Sequence, residues 1–435
     1  MRALYLSLMM ISVVLSSAAR AEESHGPIKV EVVRNDAGYQ LRRGGKPYAI
    51  RGVGMSANHI AALAAHGGNS IRNWTTGNDA ADIRQLLDTA HANGVTVMLC
   101  LPMQAERWGF DYDDADAVAA QLDAFRTEVK KYRQHPALLA WIIGNELNHE
   151  YTNPRVYDAV NDVAAMIHEL DPNHPATTTI AGFDEQVVAE IQARAPALDF
   201  ISIQVYGMLF ALPELIREAG FDQPFMVTEW GAIGHWEVGK TAWGAPIEAT
   251  SSQKADVFLR GYRDILTAFD RQLLGSYAFY WGQKQERTPT WFGLLTESGE
   301  ETEAVDVLHY LWNGTWPENR SPQVLSMQMD NRQPVSNLTL RPGQQVDAAI
   351  EAVDPDGDTM TYRWELKPES GSTQIGGDYE HAIASLEGFI ADAVSATTRI
   401  TAPEPGAYRL FVYVYDGQGN AAHANFPFLV DTAPQ

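Results

Sequence analysis

Apolar runs of strand length alternate with amphipathic stretches of helix length over most of the chain. A continuous apolar run bounded by turn residues is typical of a strand that is buried on both faces. Segment 137–150, Ala-Leu-Leu-Ala-Trp-Ile-Ile-Gly-Asn-Glu-Leu-Asn-His-Glu, has this pattern, although its Leu-Leu-Ala part could also be helical. Segment 224–231 repeats the design and supports the strand interpretation. We predict strands over residues 48–54, 70–74, 95–103, 138–145, 176–181, 199–206, 225–230 and 276–281.

Amphipathic stretches lie between these strands. Apolar spacing of three and four residues predicts helices over residues 80–92, 115–133, 154–170, 185–193 and 252–269, with a last helical pattern near 303–312. Asn153 is the predicted cap of the third helix, with Pro154 in its first position. Eight strand–helix units predict a (β/α)8 TIM barrel, whose active site lies at the carboxyl ends of the strands. A doubly wound open sheet is the alternative, but the sequence lacks the Gly-rich phosphate loop expected after its first strand.

The two ends of the chain depart from this alternation. Residues 29–33 and 38–42 alternate apolar and polar positions around Asn35-Asp36 and predict a hairpin. After a Pro-rich break at 316–322, short strands separated by turns resemble an immunoglobulin-like β-sandwich. Its predicted strands cover residues 337–340, 346–352, 361–366, 398–401, 408–415 and 425–430. We therefore predict a signal peptide over 1–21, a barrel with its hairpin over 22–318 and a sandwich over 319–435.

The first 21 residues are typical of a secretory signal peptide. Arg2 precedes an apolar run over 4–15, and Ala19 and Ala21 supply the small residues of a cleavage site. We expect cleavage after Ala21 and a periplasmic or extracellular protein. No later segment approaches the 18 apolar residues of a membrane-spanning helix, so no transmembrane segment is predicted.

Charge and cysteine content narrow the possible partners. The formal net charge is −23, and removal of the two signal-peptide arginines makes it −25. Such a surface disfavours nucleic acid and anionic lipid but is compatible with a neutral sugar polymer. The lone Cys100 lies in an apolar run, which predicts a buried filler without a disulfide and not a nucleophile. The sequence predicts neither a metal nor a cofactor, and it leaves the oligomeric state open.

Two glutamates end strands that face each other across the mouth of the predicted barrel. Glu146 follows the fourth strand and Glu229 lies in the seventh. A retaining glycosidase needs two carboxyl groups ~5 Å apart, one to attack the anomeric carbon and one to protonate the leaving oxygen. Either glutamate alone would be a solvated carboxylate at a strand end. Their matched contexts favour a catalytic pair.

The chain from about residue 29 to 316 resembles the clan A glycoside hydrolases, nearest to the catalytic barrels of families two and five. The order and spacing of several short motifs carry the resemblance. The motifs are Gly-Lys-Pro-Tyr-Ala-Ile-Arg-Gly-Val-Gly (45–54), Ile-Arg-Asn-Trp (71–74), Gly-Asn-Glu (144–146), Val-Tyr-Gly (205–207), Thr-Glu-Trp-Gly (228–231) and Phe-Tyr-Trp (279–281).

This resemblance implies a role for each residue at the strand ends. Glu146 would be the general acid/base, and Asn145 would bond the sugar 2-hydroxyl. Glu229 would be the nucleophile. Arg72 would keep Glu229 ionised, and Tyr206 would also reach it. Without the resemblance, Arg72 would be assigned to a surface salt bridge and Tyr206 to core packing.

Aromatic side chains are candidates for sugar binding because their faces suit the C–H faces of pyranose rings. By the resemblance, Trp281 would be the floor under the sugar at the cleavage point. The long connection 234–251 suggests a lid or a wall of the binding site. Further candidate platforms in predicted loops, each as suited to packing as to binding, are Trp74, Trp236, Trp243 and Trp291, with Trp108 and Trp230 in similar positions.

Two other features could be read as metal sites. Residues 354–358, Asp-Pro-Asp-Gly-Asp, have the acid spacing of a calcium loop but lack its closing glutamate, so a plain turn is favoured. His149 and Glu150 follow Glu146 closely, and a loop hydrogen bond or a substrate contact is favoured there over a metal. The sandwich is interpreted as a spacer or a module packed on the barrel, with carbohydrate binding as a lesser alternative.

Together these observations predict a secreted retaining β-glycosidase that cleaves a β-linked polysaccharide or oligosaccharide by double displacement, with β-glucan as the first candidate. A β-glucan transglycosylase on the same scaffold is the alternative among enzymes. A catalytically inactive carbohydrate-binding protein is the alternative from another class. The presence of the whole set of strand-end residues argues against lost activity. The sugar, its linkage and exo or endo action stay open.

Overall fold

The computed structural model describes residues 26–76, 83–374 and 377–432. The predicted signal peptide lies outside these ranges. The first described element is a small antiparallel sheet of β1 (Val30–Asn35), β2 (Gly38–Arg43) and β3 (Lys46–Pro47), in which Asn35 pairs with Gly38 across a tight turn. The predicted hairpin is therefore present. Among the described helices, none has the length and apolar character needed to cross a membrane.

The hairpin covers the amino-terminal end of the barrel. The backbone N–H of Val30 donates to the carbonyl of Asn173 (2.7 Å), and that of Tyr39 donates to the carbonyl of Arg271 (2.8 Å). Gly38 has φ +122°, and a Cβ at this position would lie 2.3 Å from the Arg271 carbonyl oxygen. The turn can approach the barrel this closely only because its residue is glycine. Val30 and Leu41 of the hairpin belong to the same buried apolar cluster as side chains of the barrel strands.

Within the described ranges, eight parallel strands close into a barrel in the order β10-β11-β4-β5-β6-β7-β8-β9, which confirms the predicted TIM barrel. Residues along these strands are almost entirely buried, as expected when a strand has the barrel interior on one side and helices on the other. The strands are β4 (Gly52–Gly54), β5 (Ser70–Arg72), β6 (Thr96–Leu101), β7 (Leu138–Ile143), β8 (Ala176–Ala181), β9 (Phe200–Gln204), β10 (Phe225–Gly231) and β11 (Leu273–Phe279).

The surrounding helices turn their apolar faces toward the barrel core. They are α1 (Ile60–Ala65), α2 (Ile83–Ala92), α3 (Ala115–Tyr132), α4 (Arg155–Leu170), α5 (Glu185–Arg194), α6 (Leu212–Glu218), α7 (Ser251–Arg260) and α8 (Glu303–Asn313). Helix α4 begins one residue later than predicted. Pro154 is its N-cap and has no capping side chain, so the predicted cap at Asn153 is displaced by one residue. The side-chain oxygen of Asn153 nevertheless accepts from the N–H of Arg155 at 3.1 Å.

The helix predicted over 252–269 is interrupted. α7 starts with a capping box formed by Thr250 and Gln253 and ends at Arg260, where a π-helical turn and then a short 3₁₀ turn continue the chain. Gly261 begins the π turn. A Cβ there would lie 3.0 Å from the Leu209 side chain and 3.4 Å from the Trp230 ring. The change from α-helical to π-helical hydrogen bonding therefore occurs where the backbone packs closely on Leu209 and Trp230.

The carboxyl-terminal region is an all-β sandwich. One sheet has the order β12-β14-β16 and the other β13-β18-β17-β15, and residues of both sheets share one core. Strand β12 was not predicted, because only part of its pattern alternates. The strands are β12 (Gln323–Met329), β13 (Thr339–Leu340), β14 (Gln345–Val353), β15 (Thr361–Pro368), β16 (Thr397–Thr401), β17 (Gly406–Tyr415) and β18 (Ala421–Val430). The predicted boundary at 318–319 lies between α8 and β12.

A buried polar cluster joins the sandwich to the barrel. The Glu248 carboxylate accepts from Lys254 Nζ (2.5 Å), Thr288 Oγ1 (2.7 Å) and Thr290 Oγ1 (2.9 Å) of the barrel. It also accepts from Asn425 Nδ2 of the sandwich at 2.7 Å. Because a buried charge is tolerated only when it is paired and hydrogen-bonded, this cluster fixes how the two domains meet.

Candidate active site

The carboxyl ends of the barrel strands surround a cavity of about 600 Å³. Both predicted catalytic carboxyl groups, Glu146 and Glu229, line it, so the structure brings them to one site as the sequence predicts. The cavity is also lined by Trp74, Asn145, His149, Gln204, Tyr206, Met208, His235, Trp236, Glu237, Phe279, Tyr280, Gln283, Lys284, Glu286 and Gly377.

The carboxylate of Glu229 is held by three donors, which lie at or just after the ends of β5 and β9. Arg72 forms a buried ion pair with Glu229 Oε1. Trp74 Nε1 donates to the same oxygen at 2.9 Å, and Tyr206 Oη donates to Oε2 at 2.7 Å. The Arg72 guanidinium also lies over the Trp74 ring, 4.6 Å from its centre. Both oxygens are thereby fixed in position, as a nucleophile aimed at one carbon requires.

Opposing influences act on the proton affinity of Glu229. Burial has the largest effect and raises its pKa, whereas the cation of Arg72 lowers it. The nearby carboxyl of Glu146 raises the pKa again, and the hydrogen bonds from Tyr206 and Trp74 lower it. Burial and Glu229 together raise the pKa of Tyr206 well above its ordinary value, so its hydroxyl keeps its proton and remains a donor. The two glutamates thus influence each other across the cavity.

Asn145 is oriented by the same network. Its Oδ1 accepts from Arg72 Nη2 at 2.8 Å and from Gln204 Nε2 at 2.9 Å. Because these bonds use the oxygen end of the amide, the NH₂ end is the one available to a ligand. The sequence reasoning missed Gln204. It ends β9 two residues before Tyr206, and the two-residue period of a strand could have indicated that both point the same way.

Glu146 sits in a strained turn beside a histidine. Its φ is +49°, in the left-handed region that non-glycine residues rarely occupy, and its backbone N–H donates to Thr179 Oγ1 at 3.0 Å. His149 Nε2 lies 3.3 Å from Glu146 Oε2. The hydrogen bond to Glu146 raises the pKa of His149 above its ordinary value, despite the opposite effect of burial. The loop hydrogen bond predicted for His149 is therefore made to the candidate acid/base itself.

The predicted aromatic platforms divide into two groups. Trp74 and Trp236 line the cavity, and Trp236 is half exposed. Trp291 is buried and donates through Nε1 to the carbonyl of Ile233 (2.9 Å), while Trp243 is half-buried outside the cavity lining.

The floor predicted at Trp281 requires a correction. Trp281 is buried in the barrel core, with its ring 5.9 Å from that of His66, and its backbone N–H donates to the Gly54 carbonyl at 2.9 Å. Tyr280, one residue earlier, lines the cavity instead. The Tyr280 hydroxyl meets Ser56 Oγ at 3.1 Å.

Residues of the connection 234–251 and of the loop after β11 form one wall of the cavity. His235 Nε2 lies 3.2 Å from Glu286 Oε1, and Lys284 Nζ lies 2.7 Å from Glu286 Oε2. Glu237 accepts backbone N–H bonds from Gly207 (2.8 Å), Met208 (2.9 Å) and Gly234 (3.0 Å). Glu237 therefore ties two loops together, a role that the sequence left unassigned.

The two features considered as metal sites have clear local contacts. Asp354 Oδ1 accepts from the backbone N–H of Asp356 (2.9 Å) and Asp358 (3.0 Å), which is the hydrogen bonding of the predicted turn. Ligand atoms of Asp354, Asp358 and Asp416 lie within 4.8 Å of one another. Glu150 is exposed, with φ +50°.

A comparison with protein-family models matches residues 55–267 to "Glycosyl hydrolases family 2, TIM barrel domain". This confirms the resemblance of the barrel to clan A glycoside hydrolases. A search among curated proteins gave no significant match.

Solved structures share the fold at low sequence identity. A β-D-glucuronidase from Dictyoglomus thermophilum matches 67% of this chain and 54% of its own, at 16% identity and a TM-score of 0.51. A Bifidobacterium dentium β-glucuronidase matches 66% and 49%, at 18% identity and a TM-score of 0.50. A calcium-binding mutant of Bacteroides uniformis β-glucuronidase 2 matches 92% and 48%, at 13% identity and a TM-score of 0.50. This chain thus spans about half the length of these enzymes.

Proposed function

We propose that this chain, whose barrel carries the family 2 glycosyl hydrolase match, is a retaining β-glycoside hydrolase that acts on a β-linked glycan by double displacement. One observation carries the proposal. Glu229 is held by Arg72, Trp74 and Tyr206 and opens into the same cavity as Glu146. A fixed carboxylate facing a second carboxyl group is the arrangement that this reaction needs.

In the first half of the reaction, Glu229 attacks the anomeric carbon. The bond between that carbon and the leaving oxygen breaks, and Glu146 gives its proton to the leaving oxygen. Arg72, Trp74 and Tyr206 direct the carboxylate at the carbon, and the amide NH₂ of Asn145 is available to a sugar hydroxyl. The product of this step is a glycosyl ester on Glu229 and a released alcohol.

In the second half, water replaces the departed group. The ester carries no charge at position 229, so Glu146 no longer faces a second carboxylate. Glu146 then takes a proton from water, the oxygen of which attacks the anomeric carbon and releases Glu229. Two inversions at one carbon give a product with the configuration of the substrate.

The sugar class follows from the charges around the cavity. Lys284 would be the obvious partner of a uronic acid, but its Nζ is already bound to Glu286 (2.7 Å) and to the Gly377 carbonyl (3.0 Å). His235 is likewise paired with Glu286. With Lys284 neutralised by Glu286, and with Trp236 and Tyr280 lining the cavity, we favour a neutral pyranose, with β-glucan as the first candidate.

The direct test combines a substrate panel with stereochemistry. The protein is assayed on 4-nitrophenyl β-glucoside, β-galactoside, β-mannoside and β-glucuronide, and the first anomer released from the best substrate is identified by proton NMR. The proposal expects hydrolysis of a neutral β-glycoside with the β-anomer formed first. Formation of the α-anomer first would contradict double displacement, and preference for the glucuronide would contradict the neutral sugar.

Transglycosylation and export are tested separately. Incubation with a short β-glucan yields only shorter products from a hydrolase, whereas products longer than the substrate identify a transglycosylase. We also propose export to the periplasm or the exterior, on the pattern of residues 1–21. Sequencing the amino terminus of the mature protein should then begin at Glu22.

A further inference from the structure

A short segment of the sandwich reaches the rim of the catalytic cavity. Gly377 lines the cavity, and its carbonyl accepts from Lys284 Nζ at 3.0 Å. The Asp378 carboxylate accepts two hydrogen bonds from the Arg107 guanidinium, from Nη1 at 3.1 Å and from Nη2 at 3.0 Å. This pair of bonds is called the fork. Glu380 accepts from the backbone N–H of Arg287 at 2.9 Å. Residues 377–380 are therefore tied to the barrel at three successive points.

These contacts join two loops that are not neighbours in the barrel. Arg107 follows β6, whereas Lys284 and Arg287 follow β11. In the closed sheet, β4 and β5 lie between β11 and β6. Residues 377–380 thus connect two loops of the rim that are not adjacent, and Gly377 lines the cavity that these loops border.

The connection is built to stay in place. The Arg107 side chain is 7% exposed and that of Asp378 is 22% exposed, so the fork is largely shielded from water. The guanidinium also lies over the Trp108 ring, 4.5 Å from its centre. Bidentate charge-assisted bonds that are partly buried are stronger than exposed ion pairs and hold their partners in one geometry.

We propose that residues 377–380 of the sandwich form one wall of the substrate-binding cleft and limit how far a bound glycan chain extends on that side. The inference rests on the proposed glycosidase function. It makes the carboxyl-terminal domain part of the substrate site, and it makes Asp378 and Arg107 determinants of chain-length preference. The substrate is a β-linked glycan whose chain ends at this wall.

The test removes two of the ties independently. Asp378→Ala and Glu380→Ala each release the segment at a different point, and Arg107→Ala/Asp378→Ala removes the fork without leaving an unpaired charge. Asp347→Ala is the matched control, because it breaks a sandwich ion pair (Asp347 Oδ1 to Arg399 Nε, 2.8 Å) within β14 and β16, away from the cleft. Thermal unfolding followed by circular dichroism confirms that each variant is folded.

The readout is the ratio of kcat/KM for a β-linked hexasaccharide to that for the disaccharide of the sugar found in the glycoside panel. We expect the ratio to rise about tenfold in the wall variants, mainly through a lower KM for the hexasaccharide, and to stay at the wild-type value in Asp347→Ala. Equal kcat/KM ratios in all folded variants would contradict the proposal that residues 377–380 form a wall of the cleft. Wild-type protein inactive on every glycoside would instead overturn the proposed function and the wall with it.

Discussion

Two buried glutamates, each paired with a buried cation, differ in what surrounds them. Glu229 and Glu248 are equally buried, at 5% exposure each. Burial opposes the charge of both, yet Lys254 and Arg409 lower the pKa of Glu248 to about 2, whereas the pKa of Glu229 remains raised despite Arg72. Burial and a neighbouring cation therefore do not by themselves determine the state of a carboxyl group.

The neighbouring groups account for the difference. Donors from both domains surround Glu248 at the interface, and its charge is stabilised there. Glu229 also has donors to both oxygens, but it faces a cavity that it shares with the carboxyl of Glu146. The first arrangement stabilises a fixed charge. The second leaves a carboxylate able to exchange its charge for a covalent bond.

The largest effect is expected when the nucleophile is changed. Glu229→Gln should lower kcat/KM on an aryl β-glycoside by at least about four orders of magnitude, or about 5.5 kcal/mol of transition-state stabilisation, because the amide cannot form the glycosyl ester. Steady-state kinetics with the aryl glycoside measure the loss. Unchanged hydrolysis in the folded variant would remove Glu229 from the mechanism.

Changing the acid/base should have a smaller effect, because a good leaving group does not need a proton. Glu146→Gln should lower kcat/KM on a natural glycoside by about 10²- to 10⁴-fold and less on 2,4-dinitrophenyl substrates. The same change should lower the pKa of His149 toward its ordinary value, since the bond to Glu146 is the main cause of its increase. Histidine NMR titration tests the second expectation without any substrate. Equal losses on both substrates would argue against proton donation.

Changing the interface glutamate should affect stability and spare catalysis. Glu248→Gln leaves Lys254 buried without its counter-ion and should lower the free energy of unfolding by about 3 kcal/mol, measured by urea denaturation. Burial also lowers the pKa of Lys254, so the ion pair stabilises the folded protein by less than the lowered pKa of Glu248 alone implies. Wild-type kcat/KM in the folded variant is the expected control result.

The sign of the pH dependence follows from the same group. Because the pKa of Glu248 is about 2 in the folded protein and about 4.5 in an ordinary carboxyl, its stabilisation is present above pH 4.5 and is lost as the pH falls toward 2. Glu248→Gln should therefore show a weaker loss of stability across this range than the wild type. An identical loss in both proteins would contradict this assignment.

The smallest effect is expected from a single donor. Tyr206→Phe removes the hydroxyl that donates to Glu229 Oε2 and should lower kcat/KM by about tenfold, or about 1.4 kcal/mol, with little change in stability. The phenylalanine retains the ring contacts with Trp236, Phe279 and Phe292. A loss as large as that of Glu229→Gln would show that Tyr206 does more than orient the carboxylate.

The sequence predicts the fold and the site wherever they depend on the spacing of apolar residues or on the position of a residue at a strand end. Continuous apolar runs predict strands such as 138–145, which contains β7, and the strand ends bring Glu146 and Glu229 to one cavity. Strand alternation and turns likewise predict most of the sandwich. These features depend on local pattern and on the general geometry of a closed parallel sheet.

Other features depend on contacts that no local pattern encodes. Tyr280 lines the cavity while Trp281 is buried because of the course of the backbone beyond β11, which a strand pattern cannot reveal. The fork between Arg107 and Asp378 joins residues that are 271 positions apart. The sequence predicts a spacer or a module packed on the barrel, and it does not reveal that residue 377 of this domain lines the cavity.

The hairpin at the amino-terminal end of the barrel has a consequence for biosynthesis. Its partners Asn173 and Arg271 are far along the chain, and Arg43 Nη2 donates to the carbonyl of Pro136 at 2.8 Å. A ribosome makes β1 and β2 long before these partners exist, so the hairpin cannot dock completely until residue 271 has emerged. The hairpin thus docks completely only when the segment just before the last barrel strand is present, a delay that favours contact with chaperones before folding is complete.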